Sequence, residues 1–199
     1  ADQYGGITGV AALENRILDS WQQSTAESFS AAGSTRESLI TLVLFDEASV
    51  TDSIDGWPYM APFPRKHLAD LIDAFSAAGA RTIGLDVFLA RPYPELNSWD
   101  GGDDLLRAAM ERAGNVVLAA PLEQTDSGPV MLMPHPFFSS VAADVGAAEL
   151  PSAFETLRDG TLAVRSGAGL EPSFSLALYA HSQGLDVDSL LRNTLGSGR

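Results

Sequence analysis

The chain has 199 residues, a formal charge of −14 at pH 7, no cysteine and an apolar fraction of 45%. That length suits one domain with an ordinary apolar core, and the missing cysteines exclude a disulfide framework, a thiolate zinc site and a cysteine nucleophile. Lys66 is the single lysine and the arginines are scattered, which argues against nucleic acid or anionic lipid as a partner, because both bind clustered basic surfaces.

The amino-terminal part of the chain predicts one long helix. Residues 1–9 are glycine-rich and are expected to be frayed, whereas residues 10–32 carry apolar side chains at helical spacing. The steps of three and four between Val10, Leu13 and Ile17 suit docking on the domain's own core and also pairing with a second copy of the helix. We therefore expect a homodimer that forms through this helix.

Alternating strand and helix patterns follow in the next part of the chain. Residues 39–45 form a continuous apolar run, which predicts a strand buried on both faces, as in a parallel sheet. A helix over residues 64–79 and a second buried strand over residues 81–88 complete a right-handed strand–helix–strand unit. The pattern continues with a predicted helix and a third strand, at residues 103–112 and 115–120.

The signal weakens after residue 120. The remaining expected elements are three short strands and one helix, at residues 130–133, 146–150, 162–165 and 173–183. We expect the strand at 162–165 to pair with the one at 146–150. The predicted fold class is α/β, with a largely parallel central sheet, flanking helices and a long N-terminal helix. The chain is read as a single domain over residues 1–199, with its α/β core over residues 39–195.

Two aspartates are the first candidates for chemistry. Asp46 and Asp86 each follow a predicted parallel strand, and ligands of open α/β sheets bind at the carboxyl ends of the strands. Two carboxylates there can hold a magnesium ion or divide acid and base roles, as in a metal-dependent hydrolase. The alternative is structural, since such carboxylates also cap loop amides or pair with an arginine such as Arg65 or Arg91.

Aromatic side chains surround the same predicted edge. Trp57 lies in the loop that follows Asp46, where an aromatic ring can line a ligand pocket or cover the end of the core. The candidate ligand-binding set is therefore Asp46, Trp57, Arg65 and Asp86. Phosphate-binding loops, a nucleophile elbow and metal-binding histidine pairs are absent from the sequence. We consequently expect no catalytic residue, no metal and no cofactor in this chain.

A glycine-rich acidic segment precedes one of the predicted helices. Gly101 and Gly102 are followed by Asp103 and Asp104, and both carboxylates are interpreted as first-turn residues that favour the helix dipole.

The order of short motifs along the chain resembles a known family. The motifs are Leu18-Asp19, Phe45-Asp46, Gly56-Trp57-Pro58, Pro64-Arg65, Gly79-Ala80, Gly84-Leu85-Asp86-Val87-Phe88, Gly114-Asn115, Gly146, Asp159-Gly160 with Arg165, and Pro172-Ser173-Phe174. In this order they resemble CHASE domains of the second type, which are extracellular sensory domains of bacterial cyclases and histidine kinases. The similarity covers roughly residues 13–182.

The resemblance implies a role and a context. Such domains follow an N-terminal transmembrane helix and control a cytoplasmic output module, so this chain is expected to be an extracytoplasmic fragment of a membrane-anchored receptor. It also begins without methionine and contains no apolar run of the roughly 20 residues that cross a bilayer. The expected partner is an unidentified small-molecule or protein signal. The alternatives are the hydrolase that uses Asp46 and Asp86 and a dimerisation module without a ligand.

Overall fold

The computed structural model describes residues 40–44, 65–94, 101–126, 128–148, 161–166 and 169–195. The chain divides into two compact units, Ala1–Ser53 and Ile54–Arg199. The predicted helix over residues 10–32, with the positions expected to form a dimer, lies outside the described residues.

The apolar run near the start of the chain does not form the predicted buried strand. Residues 40–44 contain no helix or strand, and the side chain of Ile40 is 79% exposed, with Leu42 and Leu44 at similar values. The prediction over residues 39–45 is therefore wrong for the part that is described. Apolar composition favours burial but does not by itself specify a strand.

The second unit alternates helices and strands. Its elements are α1 (Arg65–Ala77), β1 (Ile83–Leu85), α2 (Gly102–Ala113), β2 (Val116–Ala120), β3 (Leu122–Thr125), β4 (Gly128–Met131), α3 (Pro136–Ser139), β5 (Asp144–Ala147), β6 (Ala163–Ser166), β7 (Gly169–Pro172), α4 (Phe174–Gln183) and α5 (Val187–Leu195). Helix α2 ends at Gly114, which adopts φ 65° and donates its N–H to the carbonyl of Met110. A side chain would disfavour this left-handed conformation, so glycine ends the helix here.

The central sheet has three parallel strands in the order β1–β2–β5. Its middle strand, β2, is buried along its whole length, as expected for a parallel strand that is covered on both faces. The α/β prediction with a parallel sheet and flanking helices is confirmed for the described residues. Among the described residues the central sheet has these three strands, and residues 40–44 form no strand.

One face of the sheet carries the main apolar core. Leu68 and Ile72 of α1 and Leu106 and Met110 of α2 pack with large residues of β1 and β2 and with Phe138. Helices α1 and α2 contact each other more extensively than any other pair of described elements. Burial of large aliphatic side chains, each contributing roughly 1.5–3 kcal/mol, therefore drives this layer together.

The opposite face is covered by α4. A Cβ atom on Gly146 of β5 would lie 2.5 Å from the Cα atom of Phe174, and one on Gly84 of β1 would lie 2.9 Å from a methyl group of Leu178. Glycine in both outer strands thus lets the α4 backbone approach the sheet closely. The result is a helix–sheet–helix arrangement of layers, consistent with the α/β class.

The part of the chain after residue 120 differs most from its prediction. The strand expected at 162–165 forms as β6, but it pairs with β7 in an antiparallel hairpin rather than with the strand near residue 146. A second hairpin joins β3 and β4. Strands β3 and β7 were not predicted, because their short and partly polar sequences lack a clear apolar period. Helix α5 was also missed, although Val187, Leu190 and Leu191 repeat at helical spacing.

Candidate functional site

The carboxyl ends of β1 and β2 mark the edge at which the sequence places its candidate site. Short connections lead from α1 into β1 and from α2 into β2, so both helices begin toward this edge. Two of the four candidate residues, Arg65 and Asp86, are described and lie here. The other two, Asp46 and Trp57, are outside the described residues.

Arg65 is the first residue of α1 and is only 7% exposed. Its guanidinium group donates from Nη1 to the carboxylate of Asp103 and from Nη2 to the carbonyl oxygen of Arg91, the latter at 2.8 Å. The same group lies 4.6 Å from the ring centre of Tyr93 and 4.7 Å from that of Phe138. Hydrogen bonds and aromatic faces therefore compensate much of the cost of burying this charge.

Asp103 completes the buried pair from the first turn of α2. It is 4% exposed, and its second carboxylate oxygen accepts a hydrogen bond from the backbone N–H of Tyr93. The pair thus links the starts of α1 and α2 to the loop that contains Tyr93. The sequence placed Asp103 in the first helical turn correctly, but it did not reveal the partner, because Arg65 lies 38 positions earlier.

Asp86 has a different environment from Arg65. It follows β1 directly and its side chain is exposed. The guanidinium of Arg65 is directed to Asp103, so the described structure does not contain the suggested pairing between Asp86 and Arg65. Phe88 and Arg91, both partly or fully exposed, follow along the same loop, and the Arg91 guanidinium lies 5.0 Å from the Tyr93 ring centre. The accessible groups at this edge are therefore the carboxylate of Asp86, the guanidinium of Arg91 and the rings of Phe88 and Tyr93.

The histidines have structural partners where these are described. The Nδ1 atom of His135 accepts a hydrogen bond of 3.2 Å from the N–H of Phe137 and so caps α3. The Nε2 atom of His181, near the end of α4, lies 3.5 Å from a carboxylate oxygen of Asp144. Within the described ranges, no group of three or more His, Cys, Asp or Glu side chains could hold a metal ion. The described helices also include none long and apolar enough to cross a membrane.

Family comparison identifies the class of domain. The CHASE2 domain family model matches residues 4–196 of the chain. The chain belongs to the CHASE2 domain family. Comparison with curated proteins and with solved structures gives no match in either set. The resemblance inferred from the order of short motifs is therefore confirmed.

Membership of this family establishes the general role of the chain. CHASE2 domains are extracellular sensory domains rather than catalytic ones. Membership of this extracellular sensory family supports a sensory role and an extracytoplasmic location for the chain. The buried Arg65–Asp103 pair belongs to its scaffold, and the exposed groups beside it are the ones that a ligand can reach.

Proposed function

We propose that this CHASE2 domain is the input domain of a bacterial transmembrane receptor, which passes a ligand or environmental signal to a cytoplasmic output module. The output module that we favour is a class III adenylate cyclase or a histidine kinase. The family match over residues 4–196 carries this proposal. The signal is a small molecule or a partner protein that reaches the domain outside the cytoplasm.

The proposed ligand site is the carboxyl edge of the sheet, where Arg65 and Asp86 lie. Asp46 and Trp57 are added to it on the sequence alone, since the strand that was expected to bring Asp46 to this edge does not form over residues 40–44. The exposure of Asp86 directly after β1 supports this choice, because loops at this edge bind ligands in open α/β folds. Arg65 contributes through Tyr93, since its buried guanidinium lies against that half-buried ring. In this arrangement Asp86 contacts the ligand, and Arg65 positions the aromatic wall.

The proposed signal path leads from this edge to a dimer of N-terminal helices. A ligand changes the output only if it binds two arrangements of the receptor with different affinities. Small shifts of packed helices are a common form of such a change. We place the dimer contact on the helix predicted for residues 10–32, which would continue into a membrane span of the parent protein.

The test uses the full-length receptor with Asp46→Asn and Asp86→Asn, separately and together. The output is measured as nucleotide cyclisation or autophosphorylation, and folding is measured as the thermal unfolding midpoint of the domain. We expect both variants to change the output severalfold, because each removes a charge from the proposed ligand site. The midpoint of Asp86→Asn should stay unchanged, because this side chain is exposed.

The matched control is Glu111→Gln on the exposed surface of α2, which removes one charge away from this edge. It should leave the output at the level of the native receptor. Native-like output from the Asp46→Asn/Asp86→Asn double variant would contradict the proposed site.

A further inference from the structure

A cavity of about 330 Å³ lies at the other edge of the sheet, away from Asp86. Asp144 is the first residue of β5, and because the central strands are parallel it marks their amino ends. The walls come from β4, the start of β5, β7 and the first turn of α5. The volume falls at the lower end of the roughly 300–1,000 Å³ that is usual for small-molecule sites.

The lining of this cavity carries charge of one sign. Asp144, Glu171 and Asp188 line it, and the lining residues that the structure describes include no lysine or arginine. Asp144 accepts a hydrogen bond of 2.8 Å from the N–H of Val145, and Glu171 accepts one of 3.4 Å from the hydroxyl of Ser166. These donors are neutral, but Nε2 of His181 also lies 3.5 Å from the carboxylate of Asp144, so a ligand is expected to meet negative charge chiefly at Glu171 and Asp188. A positively charged ligand is therefore favoured, because the carboxylates attract it and no lysine or arginine of the described lining competes for them.

The three carboxylates are dispersed around the cavity. They do not form a group that could hold a single metal ion, as judged over the described residues. A ligand that meets them must carry positive charge at separated points along its length. Linear diamines and longer polyamines have this property, whereas a bare divalent ion does not.

The rest of the lining suits the carbon chain of such a molecule. Met131, Met133 and Val187 contribute apolar surface between the carboxylates. Thioether side chains adapt to irregular shapes, and methylene groups gain roughly 0.8 kcal/mol each when they are buried against apolar atoms. Shape, charge and polarity thus agree on one class of ligand.

We propose that this cavity binds a linear organic diamine or polyamine, with its ammonium groups beside Glu171 and Asp188 and its methylene chain against Met131 and Val187. This inference is independent of the site proposed around Asp86 and of the output module. A receptor whose output is unchanged by Asp86→Asn could still bind a polyamine here. Equally, a receptor that binds no polyamine could still respond through the site around Asp86.

Calorimetric titration of the 199-residue chain tests the proposal. The probes are putrescine (1,4-diaminobutane), spermidine and 1,4-butanediol, which has the carbon chain of putrescine without its charge, all at about 0.15 M salt to screen diffuse attraction. We expect saturable binding of putrescine and spermidine at one site and none of the diol. The variant Glu171→Gln/Asp188→Asn should raise the dissociation constant about tenfold or more, because it removes two of the three charges.

The control variant Glu111→Gln/Asp126→Asn removes the same formal charge from exposed positions outside the cavity. Its dissociation constants should stay within about twofold of those of the native chain, which corresponds to less than about 0.5 kcal/mol. Equal weakening in the two double variants would assign the binding to the overall charge of the chain and overturn the proposal. Failure of both amines to show saturable binding, or equal binding of the diol, would overturn it as well.

Discussion

The two faces of the central sheet differ in the size of the side chains that pack against the covering helices. On the α1/α2 face, large side chains such as Ile83, Leu118 and Phe138 fill space and enclose a charged pair. On the α4 face, Gly84 and Gly146 omit side chains so that a helix can approach. The first face is consequently sensitive to lost volume or lost charge compensation, and the second is sensitive to added atoms.

The largest expected effect comes from the charged pair on the first face. Asp103→Asn leaves the buried Arg65 guanidinium without its counter-charge, so we expect the free energy of unfolding to fall by about 3–5 kcal/mol. The measurement is urea unfolding followed by circular dichroism.

The adjacent residue provides the control for this prediction. Asp104→Asn changes the same side chain at the next position, where it is exposed. Its loss should be smaller, about 0.3–1 kcal/mol, because the interactions of an exposed carboxylate at a helix start are screened by water. If Asp103→Asn and Asp104→Asn lowered the free energy of unfolding equally, the buried Arg65–Asp103 pair would add no stability beyond that of a carboxylate at the helix start.

The second prediction compares the two glycines that face α4. In Gly146→Ala the new methyl group meets backbone atoms of Phe174 at 2.5 and 2.8 Å. Backbone cannot move aside without shifting the helix, so we expect a loss of about 3 kcal/mol. In Gly84→Ala the nearest atoms, at 2.9–3.0 Å, belong to side chains of Leu178 and Phe174. These can rotate, so the expected loss is below about 1 kcal/mol.

A further substitution sharpens this comparison. Leu178→Ala removes the methyl groups that meet residue 84, so it should relieve the effect of Gly84→Ala but not that of Gly146→Ala. Double-mutant cycles by chemical unfolding measure both couplings. If Leu178→Ala also restored the stability that Gly146→Ala loses, both glycines would be packed against side chains that can rearrange.

The smallest expected effect concerns the start of α5, which packs behind α4. Hydrogen bonds from the backbone N–H and the hydroxyl of Ser189 lower the pKa of Asp186 below its ordinary value of 3.8. A carboxyl whose pKa is lowered by folding stabilises the folded state above its unfolded pKa and loses that effect as the pH falls through the folded pKa. The start of α5 should therefore fray in acid.

Amide hydrogen exchange at Ser189 and Leu190 measures this fraying. Protection should decrease as the pH falls below the usual aspartate range of about 3.9, and Asp186→Ala should show the lower protection at all pH values. Central-strand amides, such as that of Val117, serve as the internal reference. Protection at Ser189 that is unchanged by either treatment would contradict the assigned cap.

The helices predicted over residues 64–79 and 103–112 and the buried strands predicted over residues 81–88 and 115–120 were largely correct. Helix α2 begins one residue before its predicted start and ends one residue after its predicted end, and β2 matches closely. Local signals suffice there, because apolar spacing, an acidic first turn and a terminal glycine act within a few residues. The run at residues 39–45 carries an equally clear signal, yet its described part, residues 40–44, forms no strand, so apolar composition alone does not determine a strand.

The candidate site was predictable only in part. The position of Asp86 at the end of a strand follows from sequence pattern and the general geometry of parallel sheets. The burial of Arg65 and its pairing with Asp103 do not, because a charged residue at a helix start is usually exposed. The acidic cavity was equally invisible, as Asp144, Glu171 and Asp188 come from separate elements after residue 120.

Composition and motif order alone were enough to exclude disulfides and cysteine chemistry, to argue against a nucleic-acid partner, and to indicate the CHASE2 family and an α/β fold with parallel strands. These conclusions depend on local periodicity and residue type, which the chain carries at every position. Tertiary structure alone decided which charges are buried together, which glycines admit a helix, and that β6 pairs with β7. Those features depend on contacts between distant residues, and such contacts exist only once the chain has packed.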